Sequence, residues 1–402
     1  MSITCPVCKN AQGIVTTVRR DKLPVLQNRV YASRDEALAS PCAPFQLATC
    51  SRCGFSFNGL FDADRVVYDE FYDNDVPSAI FRAYYKEIAL MLIDKFGLDT
   101  GVVYDIGCGK GDFLRVLCEL APGIQGIGID PSCTPTSEAN FTLEKRAFDP
   151  SFAVSADTKL VILRHVLEHI DQPVGFAAAI AQRIGAAPLY VEVPDLHWIL
   201  ENGVFWDFMY EHCNYFSPGT LRHALNQAGF AVGEQQGSFN GQYQWAICRA
   251  DPGAPTSAAP DPNSEIELVT RYLEQEDALL GAALALVGQA GNSVLWGMAS
   301  KGVIFATLMG SASVVGGVDV NPKKQGRFAP GSGVAIHDPT WLAGLTGPTT
   351  VFVMNGNYAQ EIGRQIAGLG VSVQMVVLDD VDFGARGESP VPGRPKLTAT
   401  AQ

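Results

Sequence analysis

Glu211 and His212 sit in the most unusual stretch of the chain, residues 205–221 (FWDFMYEHCNYFSPGTL), surrounded by Trp206, Phe208, Tyr210, Tyr215 and Phe216. An imidazole held in an apolar shell beside a carboxylate can be tuned as a general base near neutral pH. The plain alternative is a satisfied core histidine. A second polar cluster runs from Arg164 through His165 and Glu168 to His169. Its histidines stand four apart, as in a helical metal pair, but no glutamate follows the first of them, which favours a place in a ligand cleft. Near the start of the chain, Cys5-Pro-Val-Cys8 and Cys50-Ser-Arg-Cys53 supply two C-x-x-C pairs, with Gly54 suited to the turn beneath the second. Four thiolates can close a tetrahedral zinc site with no open position, so this metal is assigned to structure rather than chemistry.

A third motif lies between them. In residues 102–114, VVYDIGCGKGDFL, β-formers run into Asp105, and Gly107, Gly109 and Gly111 follow at alternate positions before an apolar helical pattern begins. That is a strand, a tight glycine turn and a helix N-terminus, where bare backbone can approach a ligand and free N–H groups point outward. Asp130 ends the next apolar run, IQGIGID, at the distance expected of a ribose-binding carboxylate. Together these elements resemble the S-adenosylmethionine (SAM) site of a class I methyltransferase.

Composition narrows the partners. The chain has 402 residues, 47% hydrophobic and 18% charged, with a net charge of −13. An acidic protein of this kind is a poor general binder of nucleic acid or anionic membrane, and an anionic substrate would need a local basic pocket. No run reaches the roughly 20 apolar residues of a membrane span, and MSITCPVCKN lacks the apolar core of a signal peptide. Clustered thiols then suit metal binding in a reducing cytoplasm.

Five segments follow from this reading. Residues 1–62 form the zinc-binding module, with 60–85 as helical turns leading onward. Residues 63–250 alternate strand and helix and predict a doubly wound α/β sheet, with ligands at the carboxyl ends of its strands. Phe148 and Asp149 fall where an adenine contact would lie, and Arg164 and His165 reach the same cleft. Residues 251–264 are a Pro/Ala/Ser-rich linker. Residues 265–383 repeat the strand–turn–helix architecture as a second Rossmann-like unit, with Lys301 in its turn. Lys301, Lys323, Lys324 and Arg327 make a basic cluster suited to a diphosphate, ordinary solvated charge being the alternative. Residues 384–402 are poor in apolar side chains and predict a disordered tail.

The split C-x-x-C pairs, the run E-H-x-x-Y-F-S at 211–217, the turn WGMASKG and the segment VDVNPKKQGRFAPGSGVAIHDP resemble the sugar C-methyltransferase family over nearly the whole chain. The family's enzymes are SAM-dependent and methylate the carbon beside the keto group of keto-deoxy nucleotide sugars. The resemblance implies His212 as the base or its close partner, with Glu211 and His169 in the substrate site. It implies Tyr72, Tyr210, Lys301, Lys323 and Arg327 as substrate contacts. Two positions depart from the family pattern: Met209 stands where a tyrosine is common, and the glycine loop reads G-C-G-K-G rather than G-S-N-D-G. The rival readings are an O- or N-methyltransferase acting on another small metabolite, and a non-catalytic scaffold that keeps SAM and zinc.

Overall fold

A computed structural model describes residues 3–381, apart from 69–70, 150, 252, 254–258 and 311–312. The expected tail at 384–402, and part of the 251–264 linker, lie outside the described residues.

The central sheet has eight strands. Gly101–Ile106 lies at its middle, parallel to Ile124–Ile129 on one side and to Thr158–Arg164 on the other. Phe141–Glu144 extends the first side and Pro188–Pro194 the second, both parallel. Tyr243–Ala250 then joins antiparallel to Pro188–Pro194 and pairs with the edge strand Phe230–Ser238. Chain order reverses at Gly101–Ile106, and the loops after neighbouring strands diverge there to leave a crevice. The apolar runs behind this prediction are buried on both faces, as a sheet covered by helices requires. Phe230–Ser238, FAVGEQQGS, carries no such run, because it is an edge strand exposed over much of its length.

The N-terminal strands Ile14–Pro24, Cys42–Cys50 and Ser56–Asn58 form an antiparallel sheet whose fourth strand is Asn214–Tyr215, from the middle of the chain. Residues 60–85 are less helical than expected. Among the described ones only Ala63–Arg65 makes a helical turn before the helix Ala79–Phe96, and the rest is an irregular strap. Asp73 in that strap is engaged by Lys323 and Asn321, and the Glu361 carboxylate accepts from Ser78 Oγ and the Ala79 and Ile80 amides.

The third sheet has six strands and its own reversal point, at Asn292–Trp296 between Gly316–Val318 and Thr349–Val353. The helix Pro262–Gln289 packs its buried side chains into a core shared with the N-terminal strands and with Phe205, Trp206 and Phe208. The aromatic stretch is thus the joint at which all three units meet. None of the ten cysteines is in a disulfide. No helix among the described residues is long and apolar enough to cross a membrane.

Candidate active site

Gly107, Gly109 and Gly111 all have positive φ, of 74°, 57° and 84°. A Cβ on Gly107 would strike Val166 at 2.4 Å, and one on Gly111 would meet Leu143 and Phe141 at 2.9 Å. At Gly109 the nearest atom would be Asn74 at 3.8 Å, so its backbone faces open space. Asp130 fixes the turn from the next strand. Its Oδ2 accepts the Gly109 amide at 2.9 Å, and its Oδ1 accepts the Ser132 amide and hydroxyl at 2.6 and 2.7 Å. Asp105 is buried under the loop with Oδ1 unpartnered, and burial pushes its carboxyl up to about 7.

Asp105, Gly107, Gly109 and Asp130 line a cavity of about 750 Å³ together with Phe148, Arg164 and His165, whereas Gly111, close against Leu143 and Phe141, does not line it. A turn without side chains, an acid at the ribose position and an orphaned buried carboxylate oxygen fit SAM, which is both nucleoside and cation. Asp149 departs from its expected role. It is exposed, and its Oδ1 accepts from the Ser151 amide and hydroxyl, capping a turn outside the cavity. Arg164 acts as a clamp, 2.7 Å from Glu192 and stacked over Tyr85 and Phe113.

A second cavity of about 330 Å³ adjoins the first, and both are lined by Tyr72, His165 and His169. His212, Glu211, Met209, Asp207, Lys301 and Lys324 complete its wall. Glu211 does not reach for its neighbour's ring. Its Oε1 accepts the Gln27 amide at 3.3 Å, and its Oε2 accepts from Tyr72 at 3.0 Å and Tyr68 at 3.4 Å. Tyr68 Oη also lies 3.0 Å from His169 Nδ1, which is 3.1 Å from the Glu211 carbonyl. With Nδ1 so engaged, His169 makes no hydrogen bond through Nε2 among the described residues.

The histidines are held in different charge states. Burial, reinforced by the nearby charges of His169, His165 and Lys301, keeps His212 well below the usual 6.5, so its imidazole is neutral. Burial would lower His165 too, but Glu168 at 3.3 Å and Glu192 at 2.9 Å overcome it and raise the ring to about 9. Neutral and charged imidazoles therefore share one wall, an arrangement that separates base from acid. Ligand atoms of Glu168, His169 and His212 lie within 4.8 Å of one another.

Other expected contacts are placed elsewhere. Tyr210 is fully buried and points away from the cavity, with its hydroxyl accepting the Asp62 amide at 2.9 Å; Met209 holds the cavity face instead. The expected basic cluster is dispersed because its members find separate partners. Lys301 lies 2.7 Å from Asp207 in the cavity wall, Lys323 pairs with Asp73 at 2.6 Å, and Arg327 is exposed on an edge strand. Neither Lys323 nor Arg327 lines either cavity. Tyr68 and Asp207 were missed as site residues. The four-residue spacing of Tyr68 and Tyr72 was the available signal for the first.

The cysteine pairs converge. All four Sγ atoms lie within 4.8 Å of one another, with Cys5–Cys53 at 3.7 Å and Cys8–Cys50 at 3.5 Å. A tetrahedron with metal–sulfur bonds of about 2.3 Å has edges near those lengths.

Residues 79–235 match a methyltransferase domain, and residues 269–376 match the C-methyltransferase C-terminal domain. The C-methyltransferase NovU of Streptomyces niveus is 23% identical over 369 residues, 84% of this chain and 86% of that protein. Among solved structures, N,N-8-amino-8-demethyl-D-riboflavin dimethyltransferase (RosA) of Streptomyces davawensis is 21% identical. The match covers 42% of this chain and 55% of that one, with a TM-score of 0.34. The 1,6-didemethyltoxoflavin-N1-methyltransferase of Burkholderia thailandensis is 14% identical, covering 49% of this chain and 96% of that one, with a TM-score of 0.33. The chain is a SAM-dependent methyltransferase. More narrowly, it joins a methyltransferase domain to a C-methyltransferase C-terminal domain.

Proposed function

We propose that the protein methylates the carbon alpha to the keto group of a nucleotide-linked keto-deoxysugar, with His212 as the base. The observation that carries this reading is a neutral imidazole in the wall of a cavity that adjoins the one lined by the glycine turn. His212 takes a proton from the alpha carbon, and the C–H electron pair becomes that of an enolate. The enolate carbon then forms the new C–C bond to the methyl group that SAM would supply, and the S–CH3 bond would break with its electron pair left on the thioether sulfur. SAM supplies a methyl group already activated on a sulfonium, so the protein's share is positioning and exclusion of water. His169, with its Nδ1 engaged, presents Nε2 toward the enolate oxygen. Glu211 serves as the anchor of the two tyrosines rather than the partner of His212. Met209 leaves the cavity without the family's tyrosine, and Tyr72 in its wall, with Tyr68 beside it on the same Glu211 carboxylate, is the phenol nearest the proposed chemistry.

The four thiols hold a structural zinc in this reading, supported by their spacing and convergence. The test of the carbon acceptor is solvent exchange. Without SAM, the enzyme should wash deuterium from solvent into the alpha carbon of a keto-deoxy nucleotide sugar. Absence of exchange, with the methyl group found on oxygen or nitrogen of the product, would assign the protein to the O- or N-methyltransferases.

A further inference from the structure

Methyl transfer as derived above gives no role to Glu168, which stands beside His169 and His212 in the wall of the second cavity. Glu168 and His169 sit on the short turn Leu167–His169 that follows the strand Thr158–Arg164, and His212 lies just before the strand Asn214–Tyr215. The two segments are fastened to each other. Asn214 Nδ2 donates to the Leu167 and Ile170 carbonyls at 2.8 and 2.6 Å, and Cys213 Sγ donates to the Glu168 carbonyl at 3.4 Å. Two imidazoles and a carboxylate are thereby positioned by backbone-anchored neighbours rather than by one another.

The carboxylate is incomplete. Glu168 is 1% exposed, and its Oε1 lies 3.3 Å from His165 Nδ1, but its Oε2 is buried with no hydrogen-bond partner among the described residues. A buried carboxylate oxygen left unpaired is costly to keep. His169 is prepared from behind. Its Nδ1 lies 3.1 Å from the Glu211 carbonyl, which can only accept, so Nδ1 carries the proton and the neutral ring has its lone pair at Nε2. Tyr68 connects the same edge of the ring to the Glu211 carboxylate. Backing by a carbonyl and a carboxylate is the usual support of a metal-bound histidine. Burial keeps His212 neutral, so it offers a lone pair without first losing a proton. One ligand atom from each of the three residues lies within 4.8 Å of the others. Opposite ligands of a metal with bonds of about 2.1 Å stand about 4.2 Å apart, so a small side-chain shift closes the set.

We propose that Glu168, His169 and His212 bind a divalent transition-metal ion of the zinc and cobalt class in the second cavity, separate from the four cysteines. Imidazole donors suit these ions, whereas magnesium and calcium favour oxygen. The ion takes positions that protons occupy during turnover, the His212 lone pair and His169 Nε2, so it inhibits. Metal binding stands on the geometry alone, and only the inhibition rests on His212 as the base.

Cobalt(II) titration of the full chain tests this by absorption spectroscopy. The site should take one equivalent with weak d–d bands and no sulfur-to-metal charge transfer, which separates it from any cobalt held by thiols. His212→Ala and Glu168→Gln should each weaken that binding about tenfold or more, as loss of a metal-site group does. His197→Asn, at a histidine that lines neither cavity, should stay within about twofold of the parent. Retained S-adenosylhomocysteine affinity shows that a variant is folded. X-ray absorption of the cobalt-loaded parent needs no variant and should return two imidazoles with oxygen. No cobalt beyond a thiol-bound ion, or binding untouched by both substitutions in folded variants, would overturn the site. Cobalt should also slow deuterium wash-in to a keto-deoxy nucleotide sugar, and removal of the excess should restore it. Cobalt held by the triad with wash-in undiminished would keep the metal site and take the base role from His212.

Discussion

The ring of His169 stands edge-on to the ring of His212, with centroids 4.8 Å apart and planes 84° from parallel. Protonating one ring disfavours protonating the other, and burial adds to the effect at His212. His212→Ala should abolish methyl transfer while leaving SAM affinity nearly unchanged, because the residue lines the second cavity and not the first. The parent enzyme should show no loss of kcat near 6.5, the usual imidazole value, since His212 is neutral well below it. A kcat profile that falls through 6.5 on acidification, or full turnover by His212→Ala, would remove this residue from the base role.

His165 titrates in the opposite sense. Its folded-state value of about 9 lies above the ordinary 6.5, so its pairing with Glu168 and Glu192 stabilises the protein fully below 6.5. That contribution is lost as the pH rises through about 9. Thermal unfolding should therefore show a falling melting temperature across that interval, and His165→Asn should flatten the fall. A parent curve that stays level through 9 would contradict the pairing.

Asp130 holds Gly109 in place and lines the first cavity, where its position after the second strand makes it the expected ribose contact. Asp130→Ala should weaken SAM binding by about 1–3 kcal/mol through loss of charged hydrogen bonds. Isothermal titration of SAM checks it, and an unchanged dissociation constant would move the ribose site elsewhere.

What could be read in advance was what consecutive residues encode by themselves. The glycine turn, Asp130 at the end of the next strand and the C-x-x-C knuckles each rest on local backbone demands. What could not be read depended on partners far away in sequence. The face taken by Tyr210 is set by Asp62, and the fates of Lys301 and Lys323 are set by Asp207 and Asp73. Residues 209–212 lack a regular period, so no pattern tells which of Met209 and Tyr210 meets the cavity. Asp149 looked like a ligand contact because it follows a strand, yet Ser151 two residues on turns it into a cap.

The cysteine site is tied to catalysis through one short strand pair. Cys50 ends the strand that pairs with Ser56–Asn58, and Ser56–Asn58 pairs in turn with Asn214–Tyr215, two residues beyond His212. Metal loss should therefore loosen the base as well as the N-terminal module. Cys50→Ser, or chelation of the parent, should lower the melting temperature by about 5–10 °C, a few kcal/mol for a unit this size. It should also reduce kcat while SAM affinity changes little, because the glycine turn and Asp130 belong to a different sheet. Metal analysis of the parent should return one zinc per chain. A metal-free protein with an unaltered melting curve would refute the zinc assignment. Stability lost with kcat intact would show that the strand pair does not transmit the disturbance to His212.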